Sequence, residues 1–195
     1  VIVKLNIDDA INEIQRPISV TDESTSVPDG YARWQKTNVE KQSQSGFNSV
    51  FIGLEAGDIT ANQLRSVAEI IRDYSAEGFA RNGFSQNIVI RYVHDDDLVS
   101  LYSKLLETGL AKSGSLTMAS AVGCSGTTSC NLALTNSHRL AKEVQRKFLE
   151  LNFDEDDDLK DSTIKISGCP NSCGQHQIAT IGFYGGGGRH EANMF

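Results

Sequence analysis

Apolar positions along this chain switch between a two-residue and a three-to-four-residue period, and the switches mark its elements. Ser49-Val50-Phe51-Ile52-Gly53-Leu54 is a short, β-branched and apolar run that predicts a strand. Gly57-Asp58-Ile59-Thr60 then opens a helix, with Thr60 and Gln63 at capping-box spacing. Leu64, Val67, Ala68, Ile71 and Tyr74 follow on one helical face, and Gly78 ends that region. Asn87-Ile88-Val89-Ile90-Arg91-Tyr92-Val93 predicts a second strand. Asp95 to Asp97 are placed to cap a second helix, whose apolar face is Leu98, Leu101, Tyr102, Leu105 and Leu106 and whose end is Gly109.

This β-α-β-α succession resembles half of a ferredoxin-like α+β layer. Ahead of it, Val1 to about Asp29 is weakly patterned. Pro17, Pro28 and the polar stretch Thr21 to Ser26 predict a connector or arm over residues 1–30. A second region starts near Ser113. Leu116 to Val122 predicts a strand, and Cys130 to Leu151 one long helix burying Leu134, Leu140, Ala141, Val144, Phe148 and Leu151. Thr163 to Ser167 and Ile178 to Tyr184 predict two further strands, the last running into Gly185 to Gly188. The expected fold class is therefore α+β: a ferredoxin-like half-domain over 31–112, then a mixed α/β domain over 113–195, truncated at its C-terminus.

Length and charge narrow the function. The chain has 195 residues and a formal net charge of −7, which disfavours nucleic acid as a partner because such binding neutralises phosphate. No apolar run of about eighteen residues predicts a membrane span, and Val1 to Asn6 lack the pattern of a secretory signal; the expectation is a cytoplasmic protein. The chain starts without Met and ends at Phe195 after a glycine run, which reads as a piece of something longer. The acidic run Asp154 to Asp158 reads as a solvated loop, since it lacks the central Gly and closing Glu of a calcium loop.

The candidate chemistry lies in four cysteines, all in two loops: Cys124 and Cys130 in Gly-Cys-Ser-Gly-Thr-Thr-Ser-Cys, and Cys169 and Cys173 in Gly-Cys-Pro-Asn-Ser-Cys-Gly. Three readings compete. Structural zinc favours two to four residues between paired cysteines, which the second pair meets and the first does not. Disulfides or inert buried thiols suit a different context. A four-iron, four-sulfur cubane takes four thiolates at irregular spacing and welcomes the amide donors of small residues, and it leads. Both loops sit at predicted strand ends, where a rigid scaffold presents function. Gly185 to Gly188 lacks the Lys-Ser/Thr of a phosphate loop and reads as a turn or a close approach.

Cys, five residues, Cys, then Cys, three residues, Cys resembles the signature of the siroheme-containing sulfite and nitrite reductases. Gly168-Cys169-Pro170-Asn171-Ser172-Cys173-Gly174 is similar to the family's second loop. Gly46-Phe47, Gly57-Asp58-Ile59-Thr60, Gln63-Leu64-Arg65 and Gln86-Asn87 resemble the half-domain that precedes its cluster domain. The resemblance, over Tyr31 to Gly186, implies a 4Fe-4S cluster on Cys124, Cys130, Cys169 and Cys173, with Cys173 also bridging to siroheme. It implies six-electron reduction of sulfite to sulfide or nitrite to ammonia, with electrons from a ferredoxin or a flavoprotein reductase.

In the large enzymes of the family a second, cysteine-free copy supplies most basic residues for the anion; this chain resembles the cysteine-bearing copy, so a missing N-terminal half or second subunit is an expected partner. Buried anions need cationic partners. Lys165 is the expected catalytic cation beside Cys173, and Asn171, Arg81 and Gln86 are expected at the cofactor. Arg189 is a weaker candidate, and for it, as for Arg81, a solvated or surface-paired cation is the plainer reading; His176 is equally a donor to the cluster shell or a helix-start residue. The alternative is a non-catalytic iron–sulfur electron-transfer or scaffold subunit; a small single-copy reductase is a further one.

Overall fold

The structure, a computed structural model, describes residues 26–186. The expected arm therefore falls outside it up to residue 25, as does Arg189. The first unit runs α1 (Tyr31–Asn38), β1 (Val39–Lys41), β2 (Phe47–Ile52), α2 (Ala61–Tyr74), β3 (Ala80–Asn82), β4 (Ile88–His94) and α3 (Leu98–Glu107). Its four strands form an antiparallel sheet in the order β1-β2-β4-β3.

Alternation along β2 turns Asn48, Val50 and Ile52 inward, and β4 adds Ile88, Ile90 and Val93. The capping box forms as the spacing predicts: the Gln63 amide donates to Thr60 Oγ1 and the Thr60 amide to Gln63 Oε1. The buried stripe of α2 is Val67, Ile70, Ile71 and Tyr74, one clean i, i+3, i+4, i+7 row, which takes in Ile70 and leaves Leu64 and Ala68 outside. Leu98, Leu101, Tyr102 and Leu105 line α3, while Leu106 is exposed. Gly109, at φ 71, turns that helix off. The helix α1 is too short and polar for periodicity to show. Its Trp34 is fully buried, with ring centroids 5.9 Å from Tyr31 and 5.0 Å from Tyr102.

The second unit is β5 (Val122–Gly123), α4 (Ser137–Glu150), β6 (Ile164–Ser167) and β7 (Ile181–Tyr184), with the strands parallel in the order β5-β6-β7. Two expectations are corrected here. Leu116 to Ala121 is a chain of turns, because Thr117 Oγ1 donates to the Gly114 carbonyl and accepts the Ala119 amide, local bonds that compete with a strand ladder. The helix expected from Cys130 begins at Ser137. Asn136 caps it through the Arg139 amide, and the amides of Leu134 and Thr135 donate across the fold to the Gly168 carbonyl. Leu134, ahead of the helix, and Leu151, at its C-cap, are exposed. A separate small core gathers Ala56, Met118, Ala121, Ala141, Ile164 and Ile166.

Polar clasps join the units. Asn38 Nδ2 donates to the carbonyls of Phe51 and Lys112 and to Ser115 Oγ. Gln145 accepts the Ala56 amide and donates to the Ala121 carbonyl. The acidic run is not uniformly solvated: the Asp154 side chain has no exposure and receives Arg33 Nε at 2.7 Å.

Glu77, just past α2, ties the sheet to the helix end by pairing with Arg91 at 2.8 Å and with Arg81. Burial pushes its carboxyl up, but hydrogen bonds from Arg91 and Arg81 outweigh this and hold it below the ordinary glutamate value. A depressed carboxyl contributes stability above its unfolded pKa and loses it as pH falls through the folded one. Denaturant titrations from pH 6 to pH 3 should show an acid-side loss that Glu77→Gln makes shallower, by about 0.5–1 kcal/mol.

Candidate metal centre

Strand β5 ends at the first cysteine loop and β6 at the second, and because the strands are parallel neighbours both loops leave the same sheet edge. The Cys124 amide continues the ladder by donating to the Ile166 carbonyl at 3.1 Å. The Gly168 amide then donates to Cys124 Sγ at 3.1 Å. The Gly168 carbonyl accepts the amides of Leu134 at 2.8 Å and Thr135 at 3.0 Å. One residue without a side chain thus bonds both ends of the first loop. A Cβ there would meet Gly126 Cα at 2.9 Å and the Thr135 carbonyl at 3.0 Å. Ser137 Oγ lies 3.1 Å from Cys124 Sγ.

The second loop folds back over β6. Ile164 and Ile166 face the α4 core, while Lys165 and Ser167 face the returning chain. Ser167 Oγ accepts the Gly174 amide at 3.1 Å and meets His176 Nδ1 at 2.9 Å. His176 starts a one-turn 3-10 segment and stacks on Tyr184 at 5.0 Å. Lys165 Nζ donates to Gln175 Oε1 at 2.7 Å. Of the four thiols, Cys169 is buried, Cys124 half-buried, and Cys130 and Cys173 exposed. Asn171 is exposed. Large exposed apolar side chains adjoin the loops in sequence or sheet: Leu132 and Leu134 after Cys130, Ile178 after Cys173, and Phe183 and Tyr184 on β7.

The other expected residues stand further back. Gln86, at φ 56, donates to the Gly123 carbonyl at 2.8 Å and accepts the Gly123 amide at 3.1 Å, pinning the residue before Cys124. Arg81 lies on β3, paired with Glu77. Asp58 holds the first turns of α4 by pairing with His138 at 3.1 Å and Lys142 at 2.6 Å. The Lys142 hydrogen bond is the main reason its carboxyl sits below the ordinary range. Gly168, Ser137 and Ser167 also position the thiols, roles that the cysteine spacing does not mark. Their only signal is that small residues flank both cysteine pairs.

Residues 40–108 match the family described as nitrite/sulfite reductase ferredoxin-like half domain. The chain carries the half-domain of the nitrite and sulfite reductase family. It is 30% identical over 164 residues to the ferredoxin–nitrite reductase of Synechococcus elongatus, covering 83% of this chain and 31% of that protein. It is 30% identical over 146 residues to the ferredoxin-type sulfite reductase of Mycobacterium tuberculosis, covering 73% of this chain and 26% of that one. The solved structure of the M. tuberculosis NirA protein superposes with a TM-score of 0.59 at 27% identity, over 79% of this chain and 28% of that chain. The chain spans under a third of the length of each.

Among the described residues no three His, Cys, Asp or Glu side chains converge closely enough to hold a single metal ion. A cubane is larger, with one ligand per corner, and the chemistry of the donor set fits it: four thiols on two hydrogen-bonded loops, with an amide already aimed at Cys124 Sγ. In this reductase-family chain the seam is the part most open to test. Gly168→Ala should destabilise the fold by about 1–3 kcal/mol, because the new methyl meets backbone on the opposite loop. Thermal unfolding of the chain measures this; an unchanged midpoint would mean that the loops are not held at that distance.

Proposed function

We propose that this chain is the cofactor-bearing part of a siroheme- and 4Fe-4S-dependent sulfite or nitrite reductase. In this reading residues 31–112 form the half-domain and 113–195 the cofactor domain. The observation that carries it is the docking of both cysteine loops through Gly168, with one thiol buried, one half-buried and two at the surface. Cys124, Cys130, Cys169 and Cys173 would hold the cluster, and Cys173 would also hold the siroheme. When bound, the coupled centre supplies electrons in succession to the anion, reducing sulfite to sulfide or nitrite to ammonia.

The chain's own residues do the rest. Gly168 N–H places a donor at Cys124 Sγ, and Ser137 Oγ, whose hydroxyl donates to the Cys124 carbonyl, lies against the same sulfur. The exposed Leu132, Leu134 and Ile178 follow the outer thiols in sequence and would offer an apolar bed that excludes water once the site is covered. Lys165, on the loop-covered face of β6, is the local cation for an anionic substrate, and it reaches that role by exchanging its bond to Gln175. Asn171, Arg81 and Gln86 would act at the cofactor, with Gln86 acting through Gly123. The relatives' names support a ferredoxin donor, and the short span of the match supports a further half as partner; a cytoplasmic setting is part of the same proposal. Among the described residues no helix is long and apolar enough to cross a membrane.

A non-catalytic electron-transfer subunit is the second reading, favoured by one observation: Arg81 and Lys165 both already have partners. Anaerobic preparation with siroheme supplied, followed by iron and acid-labile sulfide analysis and an absorption spectrum, tests both. Iron, sulfide and red-region haem bands are expected, and Cys169→Ser should abolish all three. A cluster without haem bands would favour the second reading; absence of iron and sulfide would sink both. With reduced viologen as donor, Lys165→Ala should lower turnover about tenfold to a hundredfold, the worth of one charge-assisted hydrogen bond. An unaffected rate would remove Lys165 from the site.

A further inference from the structure

Ser172 combines two costs that the polypeptide alone does not offset. Its backbone is left-handed, at φ 60, a region where a side chain is strained and glycine is not. Its Oγ is buried with no hydrogen-bond partner, and a buried hydroxyl left unpaired is unfavourable. The backbone has a visible purpose: the Ser172 carbonyl accepts the Gln175 amide at 2.7 Å and closes the turn after Cys173. Glycine would make that turn without strain and without a stranded hydroxyl, so the turn does not explain the serine.

Neighbouring hydroxyls show what a used one looks like. Ser167 Oγ binds Gly174 and His176, and Ser137 Oγ binds both the sulfur and the carbonyl of Cys124. Among the described residues, the other buried side-chain polar atoms without partners are Trp34 Nε1 and Asn87 Oδ1, both in the half-domain. Ser172 is the case that falls between two of the thiols.

We infer that Ser172 Oγ–H is a donor reserved for a sulfur of the centre that the four cysteines hold, and that it raises the reduction potential of that centre. The inference rests on the cluster reading above. Its sign follows from charge: the reduced centre carries one more negative charge, so an O–H aimed at its sulfur stabilises the reduced form more than the oxidised one. Ser172 is a positioning and tuning residue and touches no substrate.

The test uses the full chain as wild type, Ser172→Ala and Ser172→Gly. Without the cluster, Ser172→Ala should unfold no earlier than wild type, because the hydroxyl it removes has no partner. Ser172→Gly should unfold later, since it also relieves the left-handed strain. With the cluster, iron and sulfide per chain are measured first, then the midpoint potential by a redox titration followed by electron paramagnetic resonance. Both variants should titrate at lower potential than wild type at equal iron content. Equal potentials at equal iron overturn the assignment alone, as does a cluster-free Ser172→Ala that melts well below wild type. Absence of iron and sulfide from every protein overturns the cluster reading and the assignment with it.

Discussion

The arrangement turns on a backbone-to-backbone seam at Gly168. Two loops must bring four sulfurs to one place, and side chains are poor rulers for that task because they rotate. Here the ruler is main chain: the Gly168 amide faces Cys124 Sγ, and its carbonyl takes the amides of Leu134 and Thr135. The close approach requires glycine, since a Cβ would sit within 3.0 Å of Thr135 main chain. The same bonds explain why α4 starts at Ser137 instead of Cys130. Amides that would have entered the helix are committed to the other loop, and Asn136 caps what remains.

The half-domain fixes the seam from behind. Gln86 imitates a strand partner by bonding both backbone groups of Gly123, the residue before Cys124. Asp58 holds the opening turns of α4, and Gln145 fastens α4 to Ala56 and Ala121. Each clasp comes from a polar side chain at a loop of the first sheet or on the buried face of α4. The large core of Trp34, Ile52, Ile90 and Leu101 therefore does more than stabilise itself: it keeps those loops in one position.

Legibility from sequence followed the range of the forces. The capping box at Thr60, the strands around Val50 and Ile90, and the turn at Gly109 depend on neighbours a few residues away, and they stand where the pattern puts them. The stripe on α2 shifted because burial is chosen by the sheet, which favours Ile70 over Ala68 and Leu64. The short α1, β1 and β3 left no periodic trace, and Leu116 to Ala121 reads apolar yet turns because the Thr117 hydroxyl bonds its neighbouring backbone. At the centre, cysteine spacing marks the loops, since chemistry restricts residue type there. Gly168, Ser137 and Ser167 act through contacts across the fold, which a single sequence does not display.

Strand β7 joins these points. A parallel sheet is ordinarily covered on both faces, yet all four residues of β7 are exposed, Ile181, Phe183 and Tyr184 among them. Tyr184 stacks on His176, just past the loop that carries the exposed Cys173, while Ile181 and Phe183 pair with Ile164 and Ile166 on the opposite face. Water reaching an inorganic centre weakens the directed hydrogen bonds on its sulfurs, so such a centre and such a strand have the same need for an apolar cover. In the proposed reading the Tyr184 face meets both needs: covering it shields one side of the sheet and dries the outer thiol of Cys173 in a single act of burial.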